Sequence, residues 1–104
     1  MIATTYIQTT RHRFSKSMTP RQVLEYALAN PEAFLNVTSV YGGQKRPAYV
    51  NDALDAAFLA IPEGYKKELH ALAYVIDHPQ AVICLGRGDK VLNSAFRIAL
   101  EHLD

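Results

Sequence analysis

Leu85-Gly86-Arg87-Gly88-Asp89-Lys90 is one place in this 104-residue chain where residue types and spacing suggest a ligand. Two glycines and two cations stand just before a helical pattern, and the free backbone amides at a helix start attract anions. Arg87 and Lys90 would then hold the phosphate of a small ligand or nucleotide. The spacing fits neither the Walker A loop nor the dinucleotide fingerprint, and Asp89 at the cap would compete with a bound anion. The plainer reading is a loop that ends in a helix cap.

Two basic clusters point to a different chemistry. Gly42-Gly43-Gln44-Lys45-Arg46 presents cations beside Tyr41 and Tyr49, a combination that can meet phosphates and stack on bases, or simply form a solvated turn. Arg11-His12-Arg13 with Phe14 and Lys16 contains no acid, so it suits either a nucleic-acid backbone or an acidic protein face.

Catalytic and metal constellations are poorly supported. His70 and Asp77 fall two turns apart on one helical face, while His12, His78 and His102 are scattered, and no zinc spacing results. Cys84 follows His78 by six residues, but no nucleophile signature surrounds either. Asp52 and Asp55 read as favourable charges at a helix start rather than as an acid–base pair. The expectation is a protein without cofactor or metal, and not an enzyme.

Composition sets the frame around these residues. Hydrophobic types make up 49% and charged types 20%, which is ordinary for one folded domain over 1–104. Net charge is +1, yet residues 1–24 hold Arg11, Arg13, Lys16 and Arg21 with no acid, leaving a mildly acidic body. The first residues lack a secretory pattern and no apolar run is long enough to span a bilayer, so the expected location is the cytoplasm, away from membranes. The single cysteine, in the apolar run Val82-Ile83-Cys84-Leu85, is expected to pack as a small hydrophobe.

The elements that must position these groups follow from periodicity and punctuation. Thr4 to Phe14 is rich in β-branched and aromatic residues and reads as a strand or basic arm, taken as 1–16. Thr19, Pro20 and Gln22 make a capping box ahead of the stripe Val23, Leu24, Ala27, Leu28. Asn30-Pro31 interrupts that helix and restarts a short turn. Val37 to Val50, with Gly42-Gly43 at its centre and Pro47 marking an edge, reads as a β-hairpin.

From Asn51 or Asp52 a second long helix buries Leu54, Ala57, Phe58 and Ile61 and stops at Pro62. A third spans about Gly64 to Asp77 with the stripe Tyr65, Leu69, Leu72, Ala73, Ile76. Residues 81–86 are too short to assign as strand or helix. Asp89 then caps a final helix whose apolar arc covers about 200 degrees, wider than one buried face requires. The predicted fold is therefore α+β and helix-dominated, with about four main helices and a small antiparallel sheet from the N-terminal strand and the 37–50 hairpin.

The wide arc makes that last helix either the centre of the fold or an oligomer interface through Phe96, Leu100 and Leu103. The expected function is a non-catalytic binding protein, a small regulator, inhibitor or adaptor working through a protein partner and as a homo-oligomer. A nucleic-acid-binding regulator using the basic clusters is the alternative, and a small-ligand protein using Gly86 to Lys90 is the third reading.

Overall fold

The computed structural model describes residues 18–39, 46–86 and 88–103. Among them the chain is all helix: α1 (Pro20–Ala29), α2 (Pro31–Thr38), α3 (Ala48–Ala60), α4 (Lys66–Asp77) and α5 (Lys90–His102), with no strand. Helix α3 packs against α1, α4 and α5, α5 also meets α1 and α4, and α2 lies on α1.

The expected sheet is therefore a misreading. Thr4 to Phe14 and the glycine pair lie outside the described residues, but both predicted flanks of the hairpin are helical. Val37 and Thr38 complete α2 because Phe34 and Thr38, one turn apart, are both buried. The Thr38 hydroxyl donates back to Leu35 O at 3.2 Å, a bond that lets a β-branched residue sit at a helix end. Burial of that face outweighs the extended preference of Val37 and Thr38. On the other flank Pro47 is the N-cap of α3 rather than an edge-strand marker, and its carbonyl accepts from Val50 N and Asn51 N. Helix α3 thus begins three residues before Asn51, and neither Asn51 nor Asp52 caps it.

Other local signals correspond to what forms. Thr19 Oγ1 accepts from Gln22 N at 3.2 Å while Gln22 Oε1 accepts from Thr19 N at 2.9 Å, the reciprocal box that opens α1. Asn30 ends α1 and Pro31 opens α2 as a full helix rather than a single turn. Arg21, counted in the basic front, bonds to residues near the far end of the chain. Its Nη2 donates to Leu100 O at 3.0 Å and to Leu103 O, tying down the last carbonyls of α5.

Most of the apolar arc of α5 is used within the chain, while Val91 at its start is exposed. Leu92, Ala95, Phe96 and Ala99 are buried, and Ile98, Leu100 and Leu103 are half-buried against the core. Phe96 meets Phe34 edge to face, with ring centres 5.7 Å apart and planes at 79°, locking α2 onto α5. Phe96 is a core residue, so it cannot be an interface anchor. Residues 81–86 form neither strand nor helix. Ile83 and Leu85 are buried while Val82 is exposed, and Ile83 N donates to the Thr38 hydroxyl. Gly86 lets this segment run close over α2, since a methyl there would lie 3.1 Å from Pro31 Cβ.

Candidate interaction site

The seam between α3 and α4 carries the residues that depart most from ordinary inside-outside placement. The two helices are joined by the short connection 61–65, and Arg46, just before α3, bonds to Val75 O near the end of α4. The helices therefore run antiparallel, with the start of α3 beside the end of α4.

At that end the Arg46 guanidinium is drawn inside, only 3% of the residue remaining exposed. Its Nε donates to Asn51 Oδ1 at 3.1 Å, Nη1 to His78 O at 3.3 Å and Ala81 O at 3.2 Å, and Nη2 to Val75 O at 2.5 Å. These carbonyls lie where α4 stops and the chain turns, Val75 O and His78 O also accepting from His78 N at 3.3 Å and Ala81 N at 2.8 Å, and a planar fork of five donors suits their spread. Burial pushes the guanidinium below its ordinary pKa, but arginine does not deprotonate in proteins, so a charge is held inside by acceptors alone.

Further along the seam the placement reverses. Leu59 is 83% exposed and Phe58 36% exposed, and opposite them on α4 lie the half-buried Ala73 and Ile76. Together they line a surface groove of about 420 Å³ whose remaining lining residues are Asp55 and Asp77. Both carboxylates are on exposed residues. Because α3 begins at Ala48, neither Asp52 nor Asp55 falls in its first turn. The helix-start explanation fails for them, and Asp55 borders the groove instead.

Two other concavities frame the comparison. One, of about 490 Å³, is lined by Lys66, Lys67, His70, Ala71 and Val91, so His70 opens onto a different surface from Asp77 and the two share no site. The other, of about 430 Å³, is lined by Pro31, Glu32, Leu35, Cys84 and Gly86. Cys84 is half-buried there, and among the described residues of that cleft there is no histidine to activate it.

No family model, curated protein or solved structure matches the chain.

Part of the predicted site lies among the described residues, and there its members take separate roles. Arg11, Arg13, Lys16, Tyr41, Lys45 and Arg87 lie outside the described residues. Arg46 is not the tip of a basic turn but an internal clamp. Tyr49 is half-buried against the core, and loss of solvent raises its phenol above the ordinary tyrosine pKa, so it is not a free stacking platform. Lys90 is exposed at the first position of α5. Two amides of the loop before it are used inside the chain. Gly88 N and Asp89 N both donate to Cys84 O at 3.0 Å, and the Asp89 carboxylate accepts from Cys84 N at 2.5 Å instead of capping α5.

Sequence reasoning missed Leu59 and placed Phe58 inside. One signal was present, because Leu59 stands off the stripe Leu54, Ala57, Phe58, Ile61. That signal does not decide the matter alone: Val75 stands off the α4 stripe in the same way, yet it is 5% exposed and belongs to the core.

Proposed function

We propose that this chain is a non-catalytic protein-interaction domain, in the class of small regulators, inhibitors and adaptors, and that it receives a partner segment in the groove between α3 and α4. The observation that carries the reading is Leu59 and Phe58 exposed beside Ala73 and Ile76, with a carboxylate at Asp55 and another at Asp77. Moving a Leu or Phe side chain out of water is favourable by about 1.5–3 kcal/mol, and no contact within the described chain draws on that for Leu59. Apolar patches rimmed by polar groups are characteristic of protein contact surfaces.

The two aspartates define the partner's chemistry. An apolar anchor flanked by lysine or arginine gains from them, and one flanked by acids is repelled. An amphipathic helix laid in a groove between two helices is the recognition mode that fits such a surface. Catalysis is left out of the reading because Cys84, the only thiol, opens onto Pro31, Glu32, Leu35 and Gly86. Self-association through α5 is left out as well, since Leu92, Ala95, Phe96 and Ala99 are buried in the core.

The test uses the full chain, isotope-labelled for amide NMR, and two synthetic amphipathic helical peptides with the same Leu and Phe anchors. One carries lysine flanks and the other glutamate flanks. The lysine peptide is expected to shift amides of 55–59 and 73–77, and the glutamate peptide to leave them unchanged. Equal responses to both, or shifts mapping to another face, overturn the reading.

A further inference from the structure

We infer that the groove between α3 and α4 is occupied in the free protein by this chain's own segment 1–17, which an outside partner must displace. The inference rests on the proposed function and adds its regulation. Charge is the first argument. The described residues carry nine acidic and six basic side chains, and the groove is bordered by Asp55 and Asp77. Segment 1–17 holds Arg11, Arg13 and Lys16 and no acid, and its apolar residues include Tyr6, Ile7 and Phe14. It therefore offers apolar side chains together with cations and no acid, the chemistry of the partner defined above.

Length is the second argument. The segment joins the domain at Met18, which packs on the core, and Thr19 is fixed by its capping box. Extended chain spans roughly 3.4 Å per residue, so Tyr6 and Ile7 can lie up to roughly 40 Å from Met18. The Cα radius of gyration is 13.7 Å, so that reach extends over most of the surface of the domain. Tethering is the third argument. Tethering a ligand to its site by a short linker gives an effective concentration in the millimolar range, at which a contact with a dissociation constant of about 1 mM would be about half formed. Because a separate molecule with the same chemistry lacks that advantage, the chain's own segment has precedence unless the partner binds more tightly.

The experiment places a nitroxide at position 10 of the full chain, through Thr10→Cys in a Cys84→Ser background, and reads amide intensities. Residues 55–59 and 73–77 are expected to lose more than about half their intensity, as follows from a groove filled at least half the time. The loss should disappear in the Asp55→Lys, Asp77→Lys double variant. A sample mixing nitroxide-bearing unlabelled chain with isotope-labelled chain that has no nitroxide should show no loss. Loss in that mixed sample identifies a second copy as the occupant and overturns the inference, as does loss at another face or none. If none appears while the lysine-flanked peptide still binds, self-occupation alone falls. If the peptide fails as well, the groove reading falls with it.

Discussion

Arg46 and Leu59 sit on the same helical seam and break the usual placement in opposite directions, one a cation inside and the other an aliphatic side chain outside. Their difference lies in whether the rest of the chain accounts for them. Four hydrogen bonds explain the burial of Arg46, three to carbonyls where α4 ends and one to Asn51 Oδ1 on α3. No described neighbour explains the 83% exposure of Leu59. A polar group whose partners are all internal belongs to the architecture, whereas an apolar group lacking an internal partner invites an external one.

The largest effect expected is at the internal end of the seam. Arg46→Met keeps the length of the side chain but removes the donors to Ala81 O and Asn51 Oδ1 and leaves Val75 O and His78 O with only the backbone donors His78 N and Ala81 N, and should cost about 2–4 kcal/mol in urea unfolding. Arg46→Lys, with three donors in place of five, should recover part of that loss. A cost below about 1 kcal/mol would mean that water satisfies these carbonyls, and the contrast with Leu59 would lose its internal half.

A second internal polar group sharpens the comparison at smaller amplitude. Thr38 is fully buried, and its hydroxyl both donates to Leu35 O and accepts from Ile83 N, linking α2 to the irregular segment 81–86. Thr38→Val preserves shape and removes the acceptor, so a loss of about 1–3 kcal/mol is expected, together with faster hydrogen exchange at the Ile83 amide. Leu35 O keeps a partner, because Ser39 N also donates to it at 2.7 Å. Unchanged exchange at Ile83 would show that this bond does not hold the segment.

What could be read from the sequence was local. The capping box at Thr19, the stop at Pro62 and most of the α4 stripe depend on residues within a turn or two of one another, and they formed as expected. The hairpin failed because its cues, β-branched Val37 and Thr38 and a glycine pair, are also local, while the packing of Phe34 against Phe96 that decides for helix spans more than half the chain. Arg46 looked like a surface cation for the same reason, since three of its acceptors lie 29 to 35 residues downstream. Placing the start of α3 three residues late then hid Asp55 among helix-start charges. The groove was out of reach because Leu59 and Val75 present the same irregularity in sequence, and only the neighbours they meet in space separate them.

The smallest stability effect and the largest binding effect should fall on the same residue. Leu59→Lys removes an exposed side chain, so unfolding free energy should change by no more than about 0.5 kcal/mol. Occupation of the groove by segment 1–17 fits that bound, because a tethered contact about half formed contributes only about 0.4 kcal/mol. The same helix supplies the control: Leu54 is fully buried, and Leu54→Ala should cost about 2–5 kcal/mol. Binding of the lysine-flanked peptide should instead be lost with Leu59→Lys, since the substitution removes the anchor surface and adds a cation to a groove lined by two aspartates. A destabilisation well above 1 kcal/mol at Leu59 would mean that the folded chain covers this side chain far more firmly than a half-formed contact can, and the groove would then be part of the core rather than a place for a partner.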